Sequence, residues 1–111
     1  MTPIILLHHN EVDFLKKSIN SINKNTKSKH EIIIIDNNST QKNREILKNK
    51  FFNRYKIIFN KKNNWLCSFN LGIKSIEYTW DRVVLSDCDI IFNKTKCLSF
   101  IYYCSLHDDK E

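Results

Sequence analysis

The sequence predicts an α/β fold with a mostly parallel sheet, and two observations support this. Residues 4–7 and 32–35 are continuous apolar runs rich in isoleucine, which is typical of strands that are covered on both faces. The segment between them predicts an amphipathic helix, because its apolar residues recur at helical spacing: Val12, Leu15, Ile19 and Ile22. Strands that alternate with helices require right-handed crossovers, which produce a parallel sheet.

The rest of the chain continues this alternation. Ser39 and Thr40 are good N-cap residues for a second helix, whose apolar positions are Ile46, Leu47 and Phe51. Short apolar runs predict a third strand at residues 57–59 and a fourth at residues 83–85. A third helix is predicted between these strands from apolar residues three and four apart: Leu66, Phe69, Ile73 and Ile76. Residues 96–106 are apolar on most sides, and we predict a helix there.

Length and charge limit the possible classes of protein. A chain of 111 residues with 41% hydrophobic content can form one small core, so we predict a single domain over residues 1–111. The net charge of +6 raises the question of a nucleic-acid partner. However, the lysines form no unbroken block, and the chain has only three arginines, the side chains that favour forked phosphate and base contacts. We therefore predict a solvated lysine-rich surface and no nucleic-acid partner.

The cysteines and apolar segments predict the compartment. None of the four cysteines forms a pair with the C-x-x-C spacing of metal or redox motifs, so we expect reduced thiols. No apolar stretch reaches the length of a membrane span, and the amino terminus lacks the basic region of a signal peptide. We therefore expect a cytoplasmic protein, and peripheral association with the cytoplasmic face of a membrane stays open.

Polar residues follow several predicted strands, at the edge where parallel α/β sheets bind ligands. They form three groups: His8, His9 and Asn10, then Asp36, Asn37 and Asn38, then residues 87–89. Asp87 and Asp89 repel each other and resist burial unless a cation or hydrogen-bond donors neutralise them, which indicates a hard-metal or phosphate site. A solvated turn is the alternative for this pair. His8 and His9 point to opposite faces of a strand, so we predict no shared metal.

Four motifs, in this order, resemble family two glycosyltransferases with the GT-A fold. They are PIILLHHN at residues 3–10, IIDNNST at 34–40, NLGI at 70–73 and LSDCD at 85–89. Each motif is weak alone, but together with the alternating pattern they form a fairly specific signal over nearly the whole chain. The resemblance implies a Rossmann-like three-layer sandwich, a partial GT-A fold that corresponds to the nucleotide-sugar-binding half.

The resemblance also implies an activity, the transfer of a sugar from a nucleotide-sugar donor to an acceptor hydroxyl, as in polysaccharide biosynthesis. The residues implied in nucleotide binding are His9, Asn10, Asp36, Asn37 and Asp87, with Asp36 on the base or the ribose. Asp87 and Asp89 match the DXD motif that holds Mn²⁺ or Mg²⁺, cations that prefer carboxylate oxygens. The implied partners are a nucleotide-diphosphate sugar, with a UDP-sugar favoured, and an acceptor glycan or lipid-linked sugar.

The chain departs from the family pattern in places. The second acidic position often found after Asp36 is Asn37. In the family, the acceptor-binding half follows the DXD strand and carries the catalytic base, which we expect beyond Glu111 or on a partner chain, so the catalytic residues are unknown. Two hypotheses remain: a truncated or split glycosyltransferase, and a non-catalytic α/β module that binds a nucleotide or a protein.

Overall fold

The computed structural model describes residues 1–62, 64–88 and 101–103. The described elements are β1 (Thr2–His8), α1 (Val12–Asn25), β2 (His30–Asn37), α2 (Gln41–Phe51), β3 (Lys56–Asn60), α3 (Trp65–Lys74), β4 (Arg82–Asp87) and β5 (Ile101–Tyr103). The strands form one sheet in the order β3-β2-β1-β4-β5. The pairs among β1 to β4 are parallel, and β5 is antiparallel to β4. The predicted α/β class with a mostly parallel sheet is confirmed.

Helices cover both faces of this sheet, so the predicted three-layer arrangement is confirmed. Successive strand side chains point to opposite faces, which divides the apolar runs of β1 and β2 between two clusters. The first cluster packs α1 and α2 against the sheet and includes Ile4, Leu6, Leu15, Ile19, Ile22, Ile34 and Leu47. The second packs α3 against the other face and includes Ile5, Leu7, Ile33, Ile35, Phe69 and Ile73. Within the described ranges, no helix is long and apolar enough to cross a membrane.

Gly72 allows α3 to lie close to the sheet. A Cβ atom at this position would lie 2.9 Å from Ile5 Cγ2 and 3.2 Å from Ile35 Cδ1. Real Cβ atoms essentially never approach other heavy atoms as closely as the first of these distances. The absence of a side chain therefore sets the distance between α3 and the two central strands.

We expect Gly72→Ala to destabilise the fold. Alanine gains about 1 kcal/mol of helix propensity over glycine, but overpacking of a close-packed core costs about 1–3 kcal/mol. The net loss is measurable by urea unfolding followed by circular dichroism. Asn70→Ala is the control, because Asn70 is exposed on the same helix. A more stable Gly72→Ala variant would contradict the close approach of α3.

The helix predicted over residues 96–106 is wrong at residues 101–103, which form β5. β5 pairs with the outer edge of β4, with Arg82 opposite Tyr103 and Val84 opposite Ile101. The pairing supplies hydrogen-bond partners to backbone groups that an edge strand leaves unpaired, and isoleucine and tyrosine favour strands. A short apolar run fits a strand or a buried helix equally well, so periodicity alone misassigned it. The remainder of this predicted helix lies outside the described residues.

Candidate functional site

A cleft lies at the carboxyl ends of β1, β2 and β4. The strand register places His8 opposite Asp36 and Leu7 opposite Asp87. The cleft has a volume of about 240 Å³ and is lined by Leu7, His8, His9, Glu11, Asn37, Asp87 and Cys88. Three of the residues predicted to bind the nucleotide, His9, Asn37 and Asp87, therefore share one cleft. The other two, Asn10 and Asp36, are not part of its lining.

Asp36 is fully buried, with 0% exposure, and both carboxylate oxygens accept hydrogen bonds from the chain itself. Oδ1 accepts from His8 Nδ1 at 2.8 Å and from Ser39 Oγ at 2.5 Å. Oδ2 accepts from the backbone N of Ser39 at 3.1 Å. The contact of Asp36 with base or ribose stays a prediction, and in this arrangement it would require one of these bonds to open.

The hydrogen bonds favour the ionised form of Asp36. Burial by itself raises the pKa of a carboxyl group, because desolvation penalises the charge. At Asp36 this effect is outweighed by the hydrogen bonds from His8 and Ser39, and the pKa lies below its ordinary value. Asp36 is therefore a buried carboxylate that its neighbours hold in the charged state.

His8 connects this carboxylate to the loop between β1 and α1. Its Nε2 accepts a hydrogen bond from the backbone N–H of Glu11 at 3.0 Å. A backbone N–H only donates, so Nε2 is the acceptor nitrogen and Nδ1 carries the proton that is donated to Asp36. Both ring nitrogens of His8 are thus engaged inside the protein. His8, the last residue of β1, is buried, whereas His9, the first residue after the strand, is exposed.

Asn10 joins the β1–α1 loop to the start of α2. Its backbone is left-handed, with φ of 54°, a conformation that asparagine tolerates better than most residues. The side-chain Oδ1 accepts hydrogen bonds from Thr40 N at 2.8 Å and from Asn43 Nδ2 at 3.1 Å. Thr40 is the N-cap of α2. Asn10 therefore holds the β1–α1 loop against the start of α2, next to the cleft.

Asn37 connects the end of β2 to the start of α3. Its Oδ1 accepts hydrogen bonds from Asn64 N at 3.1 Å and from Ser68 Oγ at 2.9 Å. Asn64 in turn caps α3, since its side chain accepts from Leu66 N and Cys67 N. The ring of His9 lies beside the same strand end, where Nδ1 donates to the carbonyl oxygen of Asn37 at 2.7 Å.

Two carboxylates, Asp87 and Glu11, line the cleft. Asp87 ends β4 and is exposed, while the next residue, Cys88, is buried. Cys88 N donates to Leu7 O at 3.0 Å, which continues the pairing of β4 with β1. The thiol of Cys88 donates to Glu11 Oε2 at 3.9 Å, so Glu11 lies against the chain segment that follows β4. Asp89, the second predicted metal ligand, lies outside the described residues.

The donor chemistry of the cleft fits a hard cation. Carboxylate oxygens are the ligands that Mn²⁺ and Mg²⁺ prefer. No three histidine, cysteine, aspartate or glutamate side chains in the part of the chain that the structure describes could hold a metal ion among themselves. A cation bound here would therefore share its coordination with phosphates and water, as Mg²⁺ commonly does in sites that bind phosphorylated substrates.

Sequence reasoning did not assign Glu11, Asn64 or Ser68 to the site. Asn64 carries a recognisable signal, because asparagine directly before an apolar helical pattern is a good N-cap. Glu11 follows the predicted residue Asn10 directly, but nothing in its spacing indicates the cleft. Ser68 gives no local signal, since its partner Asn37 is 31 positions away in the chain.

The chain matches the family model of glycosyl transferase family 2 over residues 4–106. Comparison with the curated proteins gives no match. Among solved structures, S. aureus TarS 1-349 is similar with a TM-score of 0.68 and 21% identity, over 88% of this chain and 30% of that chain.

Two further structures contain ligands. The mannosyltransferase PcManGT from Pyrobaculum calidifontis, in complex with GDP-Man and Mn²⁺, has a TM-score of 0.68 and 14% identity over 82% of this chain and 28% of that chain. S. aureus TarS 1-349 in complex with UDP has a TM-score of 0.65 and 23% identity over 84% of this chain and 28% of that chain. This chain thus spans less than a third of their lengths.

These structural similarities identify the fold as that of GT-A glycosyltransferases. The family match covers β2, β3, β4 and all but the first two residues of β1, together with the loops that line the cleft. The described residues of the motifs that suggested the resemblance lie at the carboxyl ends of β1, β2 and β4 and on α3, where the cleft and its supporting helix are found. The chain belongs to glycosyl transferase family 2.

Proposed function

We propose that the cleft binds a nucleotide-diphosphate sugar and that a divalent cation assists this binding. The observation that carries the proposal is the shared cleft of His9, Asn37 and Asp87 at the carboxyl edge of a parallel sheet, in a chain of this family. Ligands of open α/β sheets bind at that edge. UDP in one similar structure and GDP-Man with Mn²⁺ in another support the ligand class.

Each predicted residue has a place in this proposal. His9, Asn10 and Asn37 would contact the nucleoside, and a contact of Asp36 with base or ribose would require one of its internal hydrogen bonds to open. Asp87 and Asp89 would hold Mn²⁺ or Mg²⁺ as a DXD motif. The cation would act as a Lewis acid that stabilises the charge developing on the nucleoside diphosphate as the sugar bond breaks.

The whole protein, on this proposal, transfers the sugar to a hydroxyl of a glycan or lipid-linked acceptor. We place this reaction in polysaccharide biosynthesis on the cytoplasmic side, with peripheral membrane association where the acceptor is a lipid. Deprotonation of the acceptor needs a carboxylate within hydrogen-bond reach of the hydroxyl, and no described residue is assigned that role. We place that base in an acceptor-binding part, which a partner chain could supply.

One observation favours a second candidate, a module that binds a nucleotide or a protein without catalysis. The carboxylates that line the cleft are Glu11 and Asp87, and Asp36 already forms hydrogen bonds within the protein. A module without catalysis needs only groups that contribute to binding a cation and a nucleotide, and no described carboxylate is assigned the role of a base for an acceptor.

Calorimetric titration with UDP and GDP tests the proposal. We expect binding in the presence of Mn²⁺ that is strongly weakened by EDTA, and tighter binding of UDP, because the UDP-bound structure is the more similar in sequence. Asp89→Ala is expected to abolish the metal dependence. Nucleotide binding with the same affinity with and without Mn²⁺ would favour the non-catalytic module. If neither nucleotide bound under any condition, the proposed nucleotide-binding site would be refuted.

A further inference from the structure

We infer that Asp36 is a positioning residue that holds two consecutive backbone amides of the β1–α1 loop, through His8 and Ser39, and thereby sets the shape of the nucleotide cleft. The part of the inference that concerns the nucleotide rests on the proposed function. The part that concerns the loop depends only on the contacts of the protein without ligand.

Two series of hydrogen bonds begin at the same carboxylate oxygen, Oδ1 of Asp36, and we call each series an arm. In the first, His8 Nδ1 donates to Asp36 Oδ1 at 2.8 Å and His8 Nε2 accepts from the backbone N–H of Glu11 at 3.0 Å. In the second, Ser39 Oγ donates to Asp36 Oδ1 at 2.5 Å and accepts from the backbone N–H of Asn10 at 2.9 Å. Asp36 is thus connected to the backbone amide of Glu11 through His8 and to the backbone amide of Asn10 through Ser39.

The charge of Asp36 determines the direction of both arms. An ionised carboxylate can only accept hydrogen bonds, so His8 and Ser39 must direct their protons towards it. Each then presents a lone pair to the loop, His8 at Nε2 and Ser39 at Oγ. His8 and Ser39 are 0% and 3% exposed, so water is a poor substitute for these partners and a wrongly oriented group would stay unsatisfied.

The two amides lie where the loop shapes the cleft. Asn10 has a left-handed backbone, and its neighbours His9 and Glu11 line the cleft on either side of it. If either arm is lost, the loop is free to leave this conformation. The position of Glu11 and the His9 ring then changes relative to Asp87 on the other side of the cleft.

Amide hydrogen exchange measured by NMR on the ligand-free chain tests the arms separately. Ser39→Ala removes the acceptor for Asn10 N–H, and we expect at least about tenfold faster exchange of that amide, with a smaller change at Glu11. Ser39→Thr keeps the hydroxyl and is expected to restore protection. Fast exchange of the Asn10 amide in the wild type, or unchanged protection in Ser39→Ala, would overturn the inference.

Substitutions of His8 provide a second test with matched variants. Asparagine can place its amide near the position of Nδ1 and keep the bond to Asp36, while glutamine can place an oxygen near Nε2 and keep the bond from Glu11 N–H. His8→Asn is therefore expected to lose protection at the Glu11 amide, and His8→Gln to retain more of it. Equal protection in the two variants would contradict the assignment of the two nitrogens.

Nucleotide affinity separates this inference from the proposed function. We expect Ser39→Ala to bind UDP with Mn²⁺ about tenfold more weakly than the wild type, with Ser39→Thr close to the wild type. Wild-type affinity in a Ser39→Ala variant whose Asn10 amide is deprotected would refute the link to the cleft. If the wild type binds no nucleotide, the proposed function fails, and the exchange measurements still decide whether Asp36 positions the loop.

Discussion

Asp36→Ala is expected to lower the free energy of unfolding by about 3–5 kcal/mol, because it leaves several buried hydrogen-bond donors unsatisfied at about 1–3 kcal/mol each. The substitution leaves the Nδ1–H of His8 and the hydroxyl and backbone N–H of Ser39 without the acceptor they share. These groups are buried, so water cannot readily replace the carboxylate. Urea unfolding monitored by circular dichroism measures the loss.

Asp81→Ala is the matched control for this loss of stability. It removes the same charge from an exposed aspartate next to the amino end of β4, where we expect a change within about 0.5 kcal/mol. If Asp36→Ala were as stable as Asp81→Ala, the buried pair would contribute nothing to the fold. Asp36→Asn should fall between them, because its amide oxygen keeps one acceptor site.

The lowered pKa of Asp36 predicts a loss of stability in acid. A carboxyl group whose pKa is lower in the folded than in the unfolded state stabilises the protein at pH values above the unfolded pKa, which is about 3.9 for aspartate. That contribution is lost as the pH falls from there through the folded pKa. Thermal unfolding from pH 7 to pH 3 should therefore show a smaller decrease in Tm for Asp36→Asn than for the wild type. Parallel curves for the two proteins would contradict the ionised state of Asp36.

The sequence could predict the parallel sheet because local pattern and tertiary structure agree there. The apolar runs of β1 and β2 are covered on both faces, and the helical spacing of α1 matches its buried side chains Val12, Leu15, Ile19 and Ile22. β5 was missed because its pairing with β4 is a contact between distant segments. Nothing in a short apolar segment indicates which partner will cover it.

The difference between local pattern and contacts between distant segments also explains which features of the site could be predicted from the sequence. Parallel strands deliver the residues that follow them to one edge, so the places of His9, Asn37 and Asp87 followed from strand order alone. The burial of Asp36 did not, because it depends on His8, which is 28 positions away. A carboxylate after a strand can face a ligand or an internal donor, and only the tertiary structure distinguishes the two.

Asp87→Ala is expected to weaken Mn²⁺-dependent UDP binding by about 100-fold, or about 2.7 kcal/mol. The exposed carboxylate at the end of β4 lines the cleft together with Glu11. Because no described group of three side chains could hold a cation alone, the loss of one carboxylate removes a large share of the protein's ligands. Calorimetric titration with UDP at saturating Mn²⁺ measures the change in Kd, and Asp87→Asn shows how much of it is due to charge.

Asp81→Ala again provides a control with the same change in net charge, since a strand of this length separates the two residues by about 20 Å. At that distance, exposed charges are largely screened at physiological salt, so we expect UDP affinity within about twofold of the wild type. Equal weakening by both substitutions would mean that long-range charge, and not coordination, supports binding. Full Mn²⁺ dependence in Asp87→Ala would assign the cation to Asp89 and Glu11 without Asp87, and would leave Asp87 as a contact to the nucleotide alone.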